Sequence, residues 1–186
     1  MTEQQIIRSI QNWLNSFIIA LNICPFAQRE QQRNSIRYQV ESSAQMETVL
    51  EKLIVECSYL DAHPETETTL LILSCGFDDF DDYLDMLALA EQLLMELAYD
   101  GIYQLASFHP NYCFETADFI DQAEDPANYT NRSPYPMLHI IRETSIDRAV
   151  SRYPNPERIP ENNIKLTRGL GLKKLQALLA SCYQPQ

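Results

Sequence analysis

A chain of 186 residues, 45% hydrophobic and 22% charged, has the composition of an ordinary globular protein, and its length suits one folded unit with one core. Lys and Arg total 14 against 26 Asp and Glu, a formal net charge of -12 that repels phosphate backbones and anionic lipid surfaces, so neither nucleic acid nor membrane is an expected partner. The start lacks a secretory pattern, no apolar run approaches the roughly 20 residues needed to cross a bilayer, and five cysteines point to free thiols in a cytoplasmic protein rather than to a disulfide framework.

Ile6, Ile10, Trp13, Leu14, Phe17, Ile18 and Leu21 recur at helical spacing. With Thr2 and Gln5 as a capping box they predict a helix from about Glu3 to Asn22, stopped by Cys24-Pro25 because the residue before proline is pushed out of the α region. Alternation at Ile36, Tyr38 and Val40 predicts a half-buried strand. Met46, Val49, Leu50, Leu53, Ile54, Cys57 and Leu60 give a second amphipathic helix, with Ser42 and Gln45 as its expected cap. The unbroken apolar run Thr69 to Cys75 reads as a central strand covered on both faces. A third helix carries Tyr83, Met86, Leu87, Ala90, Leu93, Leu94 and Leu97, with Asp78, Asp79, Asp81 and Asp82 at its start and Gly101 as its expected stop. A strand from Ile102 to about Phe108 follows.

From His109 to Pro136 periodicity is lost, and irregular stretches longer than about 12 to 15 residues inside compact domains are usually functional. Met137 to Ile141 resumes as a strand, Ser145 to Ser151 as a short helix, and residues 160–182 as a helical segment interrupted near Gly169 and Gly171. The expected architecture is a single α/β domain over residues 1–186 with about four strands and flanking helices. Three of the strands are expected to be parallel by crossover, and a ferredoxin-like variant is the alternative, because hydrophobic pattern does not fix strand order.

Three segments stand out chemically: Asn22-Ile-Cys-Pro-Phe-Ala27, Phe108-His-Pro-Asn-Tyr-Cys-Phe114 and Tyr129-Thr-Asn-Arg-Ser-Pro-Tyr-Pro-Met-Leu-His139. Together with Ile159-Pro-Glu-Asn-Asn163 they resemble the bacterial family catalogued as domain of unknown function family 1415, and the likeness extends over nearly the whole chain. That resemblance implies a compact bacterial protein of about this length. It carries no activity, cofactor or catalytic residue.

The site candidates therefore rest on the chemistry of the residues. Cys24 is a candidate nucleophile with His109 or His139 as partner base; the alternative is a small apolar residue packing the end of helix one. His109 lies where a strand ends and the long loop begins, the edge at which open α/β sheets collect ligands; alternatively it satisfies backbone groups at the loop start. His139, mid-strand among apolar neighbours, must find a partner there, structural or functional. Asn131, Arg132 and Ser133, framed by Pro134 and Pro136, offer an amide, a guanidinium fork and a hydroxyl to a small anionic substrate, with Tyr112 and Tyr135 as further contacts. Alternatively Arg132 fastens the loop by holding Asp118, Asp121, Glu124 or Asp125. The set Cys24, His109, Cys113 and His139 has the composition of a zinc site but no paired-ligand spacing, so no metal is assigned. The leading reading is a small-molecule enzyme built around the long loop; the runner-up is a non-catalytic ligand-binding or interaction module. The acidity clusters in Asp78 to Asp85 and Glu115 to Asp125, which leaves open a locally basic pocket elsewhere.

Overall fold

The computed structural model describes residues 1–114 and 122–183. Helix α1 (Glu3–Trp13) opens on the expected capping box, in which Thr2 accepts the Gln5 amide and Gln5 returns a bond to the Thr2 amide. It runs on as a π-helical turn over Leu14–Ile19, then α2 (Ala27–Gln32) leads to β1 (Ile36–Glu41). Asn22 closes the first helical stretch in the left-handed region, at φ 55°. Helix α3 (Met46–Ala62), β2 (Thr68–Leu73), α4 (Phe80–Glu96) and β3 (Tyr103–Phe108) follow in the anticipated order. After the long loop come β4 (Met137–Arg142), α5 (Glu143–Val150), α6 (Ile159–Leu170) and α7 (Leu172–Ser181). No described helix is long and apolar enough to cross a membrane.

The strands form one four-stranded sheet in the order β1-β2-β4-β3. β1 pairs with β2 in parallel, whereas β4 is antiparallel to both β2 and β3. The expectation of three strands parallel by crossover is corrected here. β1, β2 and β3 do run the same way, but β4 inserts between β2 and β3, so a single parallel pair remains and the β2–α4–β3 crossover becomes a split unit. Burial explains the order. β2 is buried at every position and Met137, Leu138 and Ile140 of β4 are buried on both faces, which only interior strands allow. β1 alternates apolar with polar residues, β3 is at most partly buried beyond Tyr103, and these two strands take the edges.

Two cores flank the sheet. On one face α1, the π-turn and α7 bury Ile10, Trp13, Phe17 and Leu175 against Leu70, Ile72 and Met137. On the other, α3 and α4 bury Val49, Leu53, Cys57, Tyr83 and Met86 against Leu71, Leu73, Leu138 and Ile140.

Two helix boundaries differ from expectation for local reasons. α3 is not capped by a Ser42–Gln45 box; Gln45 itself is the N-cap, and its amide donates to the Ser43 hydroxyl. α4 stops at Ala98, which adopts the left-handed conformation at φ 61°, before Gly101 is reached; Gly101, at φ 76°, instead shapes the turn into β3. The acidic start of α4 is as anticipated, with Asp79 accepting the amides of Asp81 and Asp82.

Candidate functional site

The sheet has two ends, and candidate chemistry sits at both. One end is where β3 stops at Phe108, opposite Met137 at the start of β4. It carries the long loop and most of the candidates named from the sequence.

His109 is fully buried there, immediately after β3. Its Nδ1 accepts the Asn111 amide at 3.0 Å and its Nε2 donates to the Phe77 carbonyl at 2.8 Å, so both ring nitrogens are engaged and the tautomer is fixed. The ring lies 5.1 Å from both Phe80 and Tyr83 on α4. Burial holds its pKa below the usual histidine value. Phe77 makes this contact from a strained backbone, at φ 57°.

His139 faces the opposite side of the sheet. It is half-buried, 6.3 Å from the Phe108 ring, and among the described residues its imidazole has no hydrogen-bond partner. The apolar surroundings pull its pKa down to about 4. Cys24 packs against the α1-side core; burial raises its thiol pKa, an effect that the amides of Phe26 and Ala27 only partly offset. The two imidazoles, alternative partner bases for Cys24, are therefore kept apart. His109 and His139 occupy different faces, and among the described residues no hydrogen bond or ring contact joins Cys24 to either. Nor does any group of three or more His, Cys, Asp or Glu side chains converge among the described residues as a metal site would require.

The polar residues of the loop close on main chain. Arg132 donates through Nε to the Tyr112 carbonyl at 3.0 Å and through Nη2 to the Ala123 carbonyl at 2.9 Å, and its guanidinium lies 4.9 Å from the Tyr129 ring centre. The expectation that it holds a carboxylate is not met by Glu124 or Asp125; Asp125 instead makes a two-pronged pair with Arg168 of α6, at 3.1 and 2.7 Å. Asp118 and Asp121 lie outside the described residues. Asn131 donates to the Ser107 carbonyl at 3.1 Å, and the Ser133 hydroxyl donates to the Tyr135 carbonyl. Tyr112 packs its ring against Phe80 and Phe114, while the Tyr135 hydroxyl points at the Met1 sulfur and its ring meets Tyr183. Buried Asn128 accepts the Phe114 amide at 2.9 Å. Trp13 donates to the Arg132 carbonyl at 3.0 Å and Asn163 to the Ile23 carbonyl at 2.8 Å, so the four unusual segments are tied to one another or to α1.

At the opposite end of the sheet, beside the starts of β1 and β2 and the end of β4, lies a cavity of about 230 Å³. Arg29 and Arg33 enter it from α2 and its C-cap, Arg148 and Arg152 from α5 and the turn after it. Each pair is spaced i, i+4, which puts both side chains on one side of a helical turn. Pro25 and Phe26 of the first unusual segment form an apolar wall with Tyr153, whose ring meets Phe26 edge-on at 5.5 Å. Glu30 lies 3.6 Å from Arg29 and 3.4 Å from Arg33 and also accepts the Ser35 hydroxyl at 2.7 Å. Among the described residues Arg148 and Arg152 make no ion pair, and Glu67 Oε1 is buried without a hydrogen-bond partner.

Four of the chain's 14 cationic side chains thus line one small hollow of a protein with net charge -12. Sequence reasoning left a basic pocket open but named none of these arginines. The usable signal was the repeated i, i+4 arginine spacing. Glu30 and Asp147 beside those arginines make each stretch read as an ordinary solvated helix face.

No curated protein and no solved structure matches this chain. The family described as Protein of unknown function (DUF1415) matches residues 5–177, and the chain is a member of that family.

Proposed function

We propose that this protein is a cytoplasmic, non-catalytic binding protein for a small anionic molecule, which it holds in the arginine-lined cavity. The observation that carries this reading is the convergence of Arg29, Arg33, Arg148 and Arg152 on one hollow, two of them without a carboxylate partner among the described residues. Guanidinium forks bind carboxylates and phosphates through paired, charge-assisted hydrogen bonds. In a strongly acidic chain such a patch attracts a small anion locally, while the overall field repels a long polyanion.

The enzymatic alternative places proton transfer on His109 or His139 and attack on Cys24, with Arg132, Asn131, Ser133, Tyr112 and Tyr135 gripping the substrate. It has weaker support, because His109 has both nitrogens engaged by main chain and Arg132 is directed at two carbonyls.

Titration calorimetry with inorganic phosphate at low ionic strength tests the proposal. Saturable binding is expected, weakening with salt as exposed charges are screened. Replacing Arg148 and Arg152 together by alanine is expected to lower affinity about tenfold, since each is exposed and an exposed charged contact contributes up to about 1 kcal/mol. Phosphate binding unchanged in that double variant would refute the assignment of the site.

A further inference from the structure

We infer that the ligand of this cavity is a phosphomonoester carrying a flat ring, its phosphoryl group held among the arginines and its ring resting on Phe26 and Tyr153. The inference deepens the anion-binding reading and depends on it.

Charge supplies the first part. Four guanidinium groups face two carboxylates, Glu30 and Glu67, so the hollow keeps an excess of two positive charges. A phosphomonoester brings about 1.5 to 2 negative charges at neutral pH, whereas a carboxylate brings one. Geometry points the same way. Arg29 and Arg33 arrive from one helical turn, Arg148 and Arg152 from another, and Ser145 adds a hydroxyl. Donors arriving from separate elements suit a tetrahedral group with three terminal oxygens better than a planar one with two, which a single guanidinium fork already saturates.

The second part comes from the apolar lining. Phe26 and Tyr153 meet edge-on at 5.5 Å, and with Pro25 and Ala149 they make a contact surface beside the guanidinium groups. Ring faces and edges of this kind attract another ring beyond simple area burial, and guanidinium planes stack on rings as well. A volume of about 230 Å³ sits just below the usual range for small-molecule pockets and accommodates a one-ring compound.

The test compares three probes on the full chain by calorimetry: inorganic phosphate, phenyl phosphate and benzoate. Phenyl phosphate is expected to bind about tenfold tighter than either of the others. Tyr153→Ser is expected to bring the ratio of phenyl phosphate to inorganic phosphate affinity down towards one, and Arg148→Ala to weaken both phosphates. Phe26→Leu, with the melting temperature checked, repeats the ring test should Tyr153→Ser fold poorly. Equal affinity for phosphate and phenyl phosphate would overturn the ring contact and leave anion binding standing. Benzoate binding as tightly as phenyl phosphate would overturn the phosphoryl assignment, again with anion binding intact. If none of the three binds, both the inference and the anion-binding reading fail.

Discussion

At the end of the sheet where β3 stops and β4 starts, Asn128, Asn131, Arg132 and His109 all close on main-chain atoms. At the other end, Arg148 and Arg152 face a hollow without an ion pair among the described residues, and a Glu67 oxygen lies buried with no partner. The first region is richer in unusual residues and the second in unsatisfied ones. Polar groups already matched to the backbone hold a loop in place; guanidinium groups left unmatched have interaction energy available for an anion, which the Glu67 carboxylate opposes. Chemical rarity in a sequence and availability in a structure are thus different properties, and here they separate across about one strand length.

Variants can break this contrast. The largest expected effect is on stability: Asn128→Ala removes a fully buried amide that accepts the Phe114 N–H, and a loss of about 2 to 3 kcal/mol is expected by chemical denaturation, with phosphate affinity unaltered. Altered affinity would mean that the two ends communicate.

Next comes the pH dependence tied to His139. Its folded-state pKa of about 4 lies below the ordinary 6.5, so the unfolded chain binds the proton first. Stability from this group is complete above about pH 6.5, falls as pH drops towards 4, and levels off below, with a total change of about 1 to 3 kcal/mol. His139→Leu is expected to flatten urea midpoints across that interval; an unchanged slope would assign the acid sensitivity elsewhere. Asp125 contributes in a lower window. Arg168 holds its carboxyl below the usual 3.8, so its stabilisation is present above the unfolded value and disappears as pH falls through the folded one. Arg168→Ala should remove that most acidic limb.

Arg132→Leu is expected to cost about 1 to 2 kcal/mol through two lost carbonyl contacts while phosphate still binds. If it abolished binding with the fold intact, the long loop would regain its claim to the ligand. The smallest effect is Glu67→Gln, which removes a negative charge from the cavity and is expected to tighten phosphate about threefold, measured at low salt.

Much of the fold was legible because each element satisfied a local rule. Thr2 and Gln5 announced the start of α1, and the apolar run after Thr68 marked an interior strand. The place of β4 was written in the same code: Met137, Leu138 and Ile140 crowd both faces, the mark of a central strand, but crossover logic drew attention to the order of β1, β2 and β3 instead. The site was less legible. Whether Arg132 serves a ligand or a carbonyl depends on which main-chain atoms the fold brings within 3 Å, and no local pattern encodes that. The cavity arginines are separated by β1, α3, β2, α4, β3 and β4, and only folding places them around one volume.

The hooks between distant segments also set an asymmetry in mutational tolerance. Trp13 and Asn163 reach for the carbonyls of Arg132 and Ile23, and every amino acid supplies a carbonyl whatever its side chain. The donor positions are therefore the demanding halves of these contacts, and the acceptor positions are lenient ones. A saturation library should record Trp13 and Asn163 as intolerant, and Ile23 as open to other residues of similar bulk.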